Sequence, residues 1–381
     1  MEYERTMSEY LFLIAVVLLL AFLTERGYVG DWNSRGTRAA RSIFIFVIFM
    51  AISFFIGLRE FYNDTSTYRG HYEALQSFPG FWDHFDATLG ENPGFQLVNG
   101  VLKTLNVSSQ GFILIYALFT CGLYLIFIRR YSDHFLLSMF LLFTTGMYMF
   151  SAAAMKQTAA IAICLLAIPS ALKKRWIPFL LLIGLAATFH PYALMYLAVP
   201  LLTFRPWSKW TYVLLILFVT AGFALDSILG TIVDIASMLG EEYSEEIFQD
   251  SGVNVFRVLV CSVPTFLTFV YRRELFRDSK PSENLMVNLC MINGAIMFVA
   301  LFGTANYFGR LANYFTIAQV VALPWILGKL SPHDRRVLTA LMVICYTGYS
   351  LYGNVVNGAF DSQFSRMTLK EYFTNYVCAG R

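Results

Sequence analysis

Uninterrupted apolar runs recur along the whole chain, among them LFLIAVVLLLAFL (11–23), GFILIYALFTCGLYLIFI (111–128) and WTYVLLILFVTAGFAL (210–225). Backbone groups in lipid have no water to bond, so a spanning run must be a helix or part of a closed barrel. Barrel strands alternate apolar and polar residues, and these runs do not, which selects helices. Composition agrees. Of 381 residues, 57% are hydrophobic and only 14% charged, against about 25% charged in an average soluble domain. The expectation is an all-α, polytopic helical membrane protein with a single transmembrane domain over 1–381.

About twelve spans are expected, near 9–24, 41–58, 109–128, 134–150, 153–171, 176–189, 191–204, 210–229, 253–271, 284–303, 307–327 and 336–353. A spanning helix needs roughly 20 apolar residues, so several of these borrow Ser, Thr, Gly or Tyr from their flanks. The start, MEYERTMSEY, is mixed in charge and no small-residue cleavage site follows, so no cleavable signal is expected. Basic residues gather in alternate gaps, and Lys and Arg concentrate in cytoplasmic loops. Assigning those six gaps to the cytoplasm places 18 of the 28 basic residues inside and 18 of the 25 acidic ones outside. Both termini then lie outside. So do a loop at 59–108, an acidic loop at 230–252 holding EEYSEE, and a tail at 354–381.

Within the first outer loop, PGFQLVNGVLKTLN (93–106) carries Phe95, Val98, Leu102 and Leu105 on one helical stripe. Gln96, Asn99, Lys103 and Asn106 lie opposite. Asn92 is placed to cap this helix and Pro93 to occupy its first turn. Fourteen residues reach about 21 Å, too short to span. The segment is expected to lie in the interface or dip in re-entrantly.

Ionisable residues at membrane depth are costly and mark function by default. Seven of them fall at outer ends of spans: Arg59, Asp64, Glu91, Lys156, His190, Arg257 and Arg310. Each has a plainer reading. Asp64 could cap a short helix striped by Tyr68, Tyr72 and Leu75, and Arg59 could snorkel to head groups. Glu91 could be a solvated loop acid, and His190 or Arg310 an interfacial anchor. Together they describe an outward-facing polar cavity built from several helices. No metal-ligand spacing, phosphate-cradling glycine loop or nucleic-acid-binding pattern occurs, so neither metal nor cofactor is expected. Five of the six cysteines lie within apolar runs as small packers.

An ordered set of short motifs covers most of the chain. It runs Arg59…Asp64-Thr65…Tyr68, Glu91-Asn92-Pro93-Gly94-Phe95, Lys156-Gln157-Thr158-Ala159, Phe189-His190-Pro191-Tyr192-Ala193 and Arg310-Leu311…Tyr314-Phe315. In this set the chain resembles the EpsG-like, Wzy-type polymerases of bacterial surface polysaccharides. Two departures stand out: Lys156 where arginine is usual, and Tyr192 where serine is common. Lysine acts as a point charge rather than a bidentate fork. The resemblance implies a GT-C-like architecture in the bacterial cytoplasmic membrane, with the site facing the exterior. It also implies joining of undecaprenyl-diphosphate-linked repeat units, donor to acceptor, with a chain-length-regulating co-polymerase as a partner beside membrane lipids. On this reading Arg59, Arg310, Lys156 and Arg257 hold the diphosphate. Tyr68, Glu91 and Tyr192 meet sugar, and His190, or failing it Asp64, is the base.

Two other classes compete. A lipid-linked oligosaccharide flippase or other transporter should show internal repeats and midplane charges, and the charges here sit at one end. A membrane acyltransferase would also use a lone histidine, but its acyl donor comes from the cytosolic side.

Overall fold

The structure is a computed structural model that describes residues 2–26, 35–240, 253–303, 305–353 and 364–377. It is almost wholly helical. The first half comprises α1 (Glu2–Arg26), α2 (Arg35–Gly57), β1 (Arg59–Phe61), α3 (Thr65–Ala74), α4 (Pro93–Thr104), α5 (Ser109–Tyr131), α6 (Phe135–Thr144), α7 (Met147–Ala153), α8 (Met155–Leu172) and α9 (Trp176–Ala187). A 3-10 helix (Pro191–Thr203) follows, then α10 (Lys209–Phe223), α11 (Leu225–Met238), α12 (Val255–Val270), α13 (Arg272–Leu275), α14 (Pro281–Val299), α15 (Ala305–Lys329), α16 (Pro332–Leu351), β2 (Ser365–Arg366) and α17 (Leu369–Tyr372). The acidic stretch EEYSEE lies outside the described residues, as does the 354–363 segment of the expected tail.

The chain is a multi-pass membrane protein, but its apolar segments are not twelve equal spans. Among the described residues six helices are long and apolar enough to cross a membrane, or seven if α6 and α7, bent by 50° at Thr145–Gly146, make one span. The segments expected at 134–150 and 210–229 are each broken, the first at Gly146 (φ +80°) and the second at Ala224. α9, with 12 residues, covers about 18 Å. The 13-residue 3-10 helix rises more steeply and reaches about 26 Å, close to the thickness of the hydrocarbon core.

The helix ends sort into two sets. At one end Glu25 Oε1 accepts from the Leu136 N–H (3.0 Å), and Arg130, Asp133, Lys280 and Glu283 line a common recess. At the other, Arg366 pairs with Glu9 (2.8 Å), β2 runs antiparallel to β1, and the Met367 N–H bonds to Leu58 O (3.0 Å). The Arg366 guanidinium also lies 4.9 Å above the Phe55 ring, and Phe364 stacks on Phe55 at 5.5 Å. Residues 364–367 therefore strap the N-terminal part of α1 to the C-terminal end of α2. α15, buried along most of its length, is the central post of the bundle.

Two capping expectations fail. Asn92 stands at the N-cap of α4 but has a left-handed backbone (φ 56°), and its side chain donates to Gly90 O instead. The orphan N–H groups of the first turn need another acceptor. They find Thr188 O, with Gly94 N at 2.9 Å and Phe95 N at 3.4 Å. Asp64 precedes α3 without any capping bond from its carboxylate. The stripe on α4 is split in the structure. Phe95 is buried and Leu102 packs on the core, whereas Val98, Val101 and Leu105 are exposed. On the opposite side Asn99 and Gly100 face the protein, with the Tyr116 hydroxyl donating to Asn99 Oδ1 (3.2 Å).

Gly94 explains the Pro-Gly-Phe motif. A Cβ there would lie 2.8 Å from Thr188 Cβ and 3.2 Å from a Phe189 ring carbon. Gly70, on α3, has open space around it. Gly94→Ala is therefore expected to cost about 1–3 kcal/mol through overpacking. Gly70→Ala should be neutral or stabilise by about 0.4–1 kcal/mol. Thermal unfolding in detergent separates the two, and equal midpoints would show that the α4 approach is not tight.

Candidate active site

The wall carrying the first motif starts at a buried cation. Arg59 is 1% exposed. It follows the last turn of α2, where carbonyls lack helical partners and a positive charge suits the helix dipole. Its Nη1 donates to Ile56 O (2.6 Å) and its Nε to Thr65 Oγ1 (2.9 Å), and that hydroxyl donates onward to Tyr62 O (2.6 Å). Nη2 is buried without a hydrogen-bond partner among the described residues. Burial, reinforced by nearby Arg69, pushes the Arg59 guanidinium down to about 10, so it stays charged at neutral pH. Arg59 braces the wall from behind.

Sequence reasoning gave no role to the residues around it. Arg69 donates through Nη2 to Gln110 Oε1 and to Arg59 O (3.4 Å), and Gln110 Nε2 donates to Gly57 O (2.8 Å). Gln110 sits in the first turn of α5 as a polar residue before a long apolar run, the one local hint that it bonds inward.

Tyr68, one helical turn after Asp64, joins the separate motifs. Its phenol is pushed up to about 12, first by burial and then by the Asp64 carboxylate. The main-chain N–H of Lys156 hydrogen-bonds to it, and Arg59 and Arg310 lie within electrostatic reach. Asp64 itself is exposed and forms no ion pair among the described residues.

His190 occupies the turn between α9 and the 3-10 helix. Its N–H is held by Ala186 O (3.1 Å), and its ring Nδ1 lies 2.9 Å from the Tyr314 hydroxyl. The Tyr192 ring sits 5.2 Å away and itself meets Tyr307 at 5.9 Å. Burial, followed by the charges of Lys156 and Arg310, depresses the His190 imidazole to about 3. Lys156 and Arg310 thus act on Tyr68 from one side and His190 from the other. Gln157 Nε2 fixes their helices together by donating to Arg310 O (2.6 Å). Tyr314, one turn along α15 from Arg310, was legible only as part of a motif.

Two expected members stand elsewhere. Arg257 donates to Asn313 Oδ1 (3.2 Å) and lines a cavity with Asn313, Tyr62 and Asn63. Glu91 is exposed at the start of α4, where its carbonyl accepts from Gln96 Nε2 (2.7 Å). Its carboxylate has no hydrogen bond or ion pair among the described residues.

The family model of the EpsG family matches residues 42–372, a range that includes every residue of this cluster. The chain belongs to the EpsG family. That family is a Wzy-like polysaccharide polymerase family, which fits a multi-pass membrane protein with a cluster of cationic residues at one end. No curated protein and no solved structure matches the chain. For this EpsG-family member the five short motifs are therefore understood through their contacts: four meet around Lys156 and Arg310, and the Pro-Gly-Phe motif buttresses the turn that holds His190.

His190 makes stability pH-dependent. Its folded value of about 3 lies below the ordinary 6.5, so the unfolded chain takes up the proton first as pH falls. The resulting penalty is absent above about pH 6.5 and grows toward pH 3, reaching about 2 kcal/mol at pH 5. His190→Gln should therefore flatten the fall in unfolding midpoint between pH 7.5 and 5, whereas parallel curves for both proteins would contradict a buried, neutral imidazole.

Proposed function

We propose that this protein polymerises undecaprenyl-diphosphate-linked oligosaccharide repeat units by glycosyl transfer at the outer face of the bacterial cytoplasmic membrane. The observation that carries the reading is the meeting of Lys156 and Arg310 with Tyr68, Asp64 and His190 at the strapped end of the bundle. The distribution of basic residues favours that end as the outer one.

The chemistry follows from the charges. A hydroxyl oxygen of the acceptor sugar attacks the anomeric carbon of the donor glycan. The bond from that carbon to the diphosphate oxygen breaks, and the electron pair leaves with the lipid diphosphate. Lys156 and Arg310 hold that leaving group, and the charge of Arg59 behind them adds to the field. Cations fixed in a site partly shielded from water stabilise negative charge as it develops, without reorganisation. The hydroxyl proton goes to Asp64. His190 was the first choice of base from sequence, but an imidazole depressed to about 3 is too weak a base at neutral pH. It serves as a neutral hydrogen-bonding group, oriented by Tyr314. Tyr192, ring to ring with His190, offers a stacking face to a sugar, and Glu91 stands at the rim.

The test uses purified protein and lipid-linked repeat units, read by the length of the glycan ladder. Asp64→Asn is expected to slow transfer by roughly 10²–10⁴-fold. Arg310→Ala should abolish long chains while single units stay displayed in cells. His190→Ala should cost less than Asp64→Asn. If Asp64→Asn stays within about twofold of wild type while His190→Ala is inactive, the base is His190. If Arg310→Ala still makes full-length polymer, the cluster is not the site.

A further inference from the structure

The separation of Arg257 from the main cluster has a chemical use. Arg257 on α12 lines a cavity of about 290 Å³, near the lower end of the roughly 300–1,000 Å³ typical of small-molecule sites. Its other polar walls come from Tyr62 and Asn63 after β1, Thr145 at the α6–α7 break, Asn313 on α15 and Tyr349 on α16. Arg257 is the sole charged side chain lining it among the described residues. Its guanidinium rests against the backbone of α15 at Gly309, where a Cβ would lie 3.6 Å from Nη1, and Nη2 is held by Asn313. The side chain is thus pre-oriented, which lowers the entropic cost of binding. One hydrogen bond engages Nη2, leaving the other N–H groups of the fork to meet an anion.

The two sites share walls. Asn63 precedes Asp64 on the same turn, and Asn313 follows Arg310 by three residues on the same helix. Arg310 and Asn313, three residues apart, share one face of α15, so a ligand in the Arg257 cavity sits directly beside the main cluster. A polymerase joining two lipid-diphosphate-linked chains needs two diphosphate sites: one for the group that leaves, one for the group that stays. We infer that the Arg257–Asn313 cavity holds the intact diphosphate of the acceptor, while Lys156 and Arg310 hold that of the donor. This inference rests on the polymerase reading above.

The full chain in nanodiscs, titrated with farnesyl diphosphate as a short prenyl-diphosphate probe, tests it. Wild type should bind two equivalents. Arg257→Gln and Asn313→Ala should each weaken one site by about ten- to hundred-fold and leave the other unchanged. Arg257→Lys, which keeps the charge, should lose less than Arg257→Gln, and it tests the site even if the glutamine variant fails to fold. Arg310→Gln should weaken the complementary site. Two unaltered equivalents in Arg257→Gln would overturn the inference. A single equivalent in wild type, removed by Arg310→Gln, would overturn it too, while sparing the polymerase reading. No binding at all would remove both. Inorganic diphosphate binding the Arg257 site as tightly as the prenyl probe would assign the cavity to a free anion and defeat the lipid-linked assignment.

Discussion

A peptide group surrounded by hydrocarbon must find its hydrogen-bond partner inside the protein, and this constraint decides where the helices of this bundle are allowed to stop. Irregular backbone at membrane depth survives only where protein covers it or a wet cavity adjoins it. The interruptions at Thr145–Gly146, Ala154 and Thr188–His190 meet that condition. Gly146 N bonds back to Phe143 O, Ala154 N to Phe150 O and His190 N to Ala186 O. Thr188 O, freed by the break after α9, is taken up by the first N–H groups of α4. Each break then contributes to a site. The first opens onto the Arg257 cavity, the second sets Lys156 at the head of α8, and the third presents His190.

Charge follows the same geometry. Arg59, Arg69, Lys156 and Arg310 gather near Tyr68 and His190, where Asp64 also acts on Tyr68 and forms no ion pair among the described residues. Burial is the first cause of the depressed proton affinities of Arg59 and His190, and the charge of Arg69 on the one and of Lys156 and Arg310 on the other add to it. Arg59, walled in by its bonds to Ile56 and Thr65, contributes field without having to move.

The apolar segments were legible because their composition leaves few alternatives, and the alternation of basic gaps sorted their ends. Contacts across the chain were not legible. Nothing near Asn92 announces that Thr188 will supply the cap, since that partner is 96 residues away. The pairing of His190 with Tyr314 spans 124 residues. The stripe on α4 was read with the right period, but its members divide, with Phe95 packed on Phe112 and Tyr116 and Val98 and Leu105 exposed. Arg257 was grouped with the other cations by its place at a span end. Its packing against Gly309 and Asn313, which flank Arg310 on α15, could not be read from the sequence.

The strand pairing between β1 and residues 365–366 has a consequence for biogenesis. The segment that braces Arg59 is translated after the last of the long helices, so a nascent chain emerging from the ribosome carries an unfinished cleft. The translocon must deliver residues 364–367 to the same side of the bilayer as α3 before that wall is complete. Assembly order thereby makes the wall around Arg59 one of the last parts of the bundle to close.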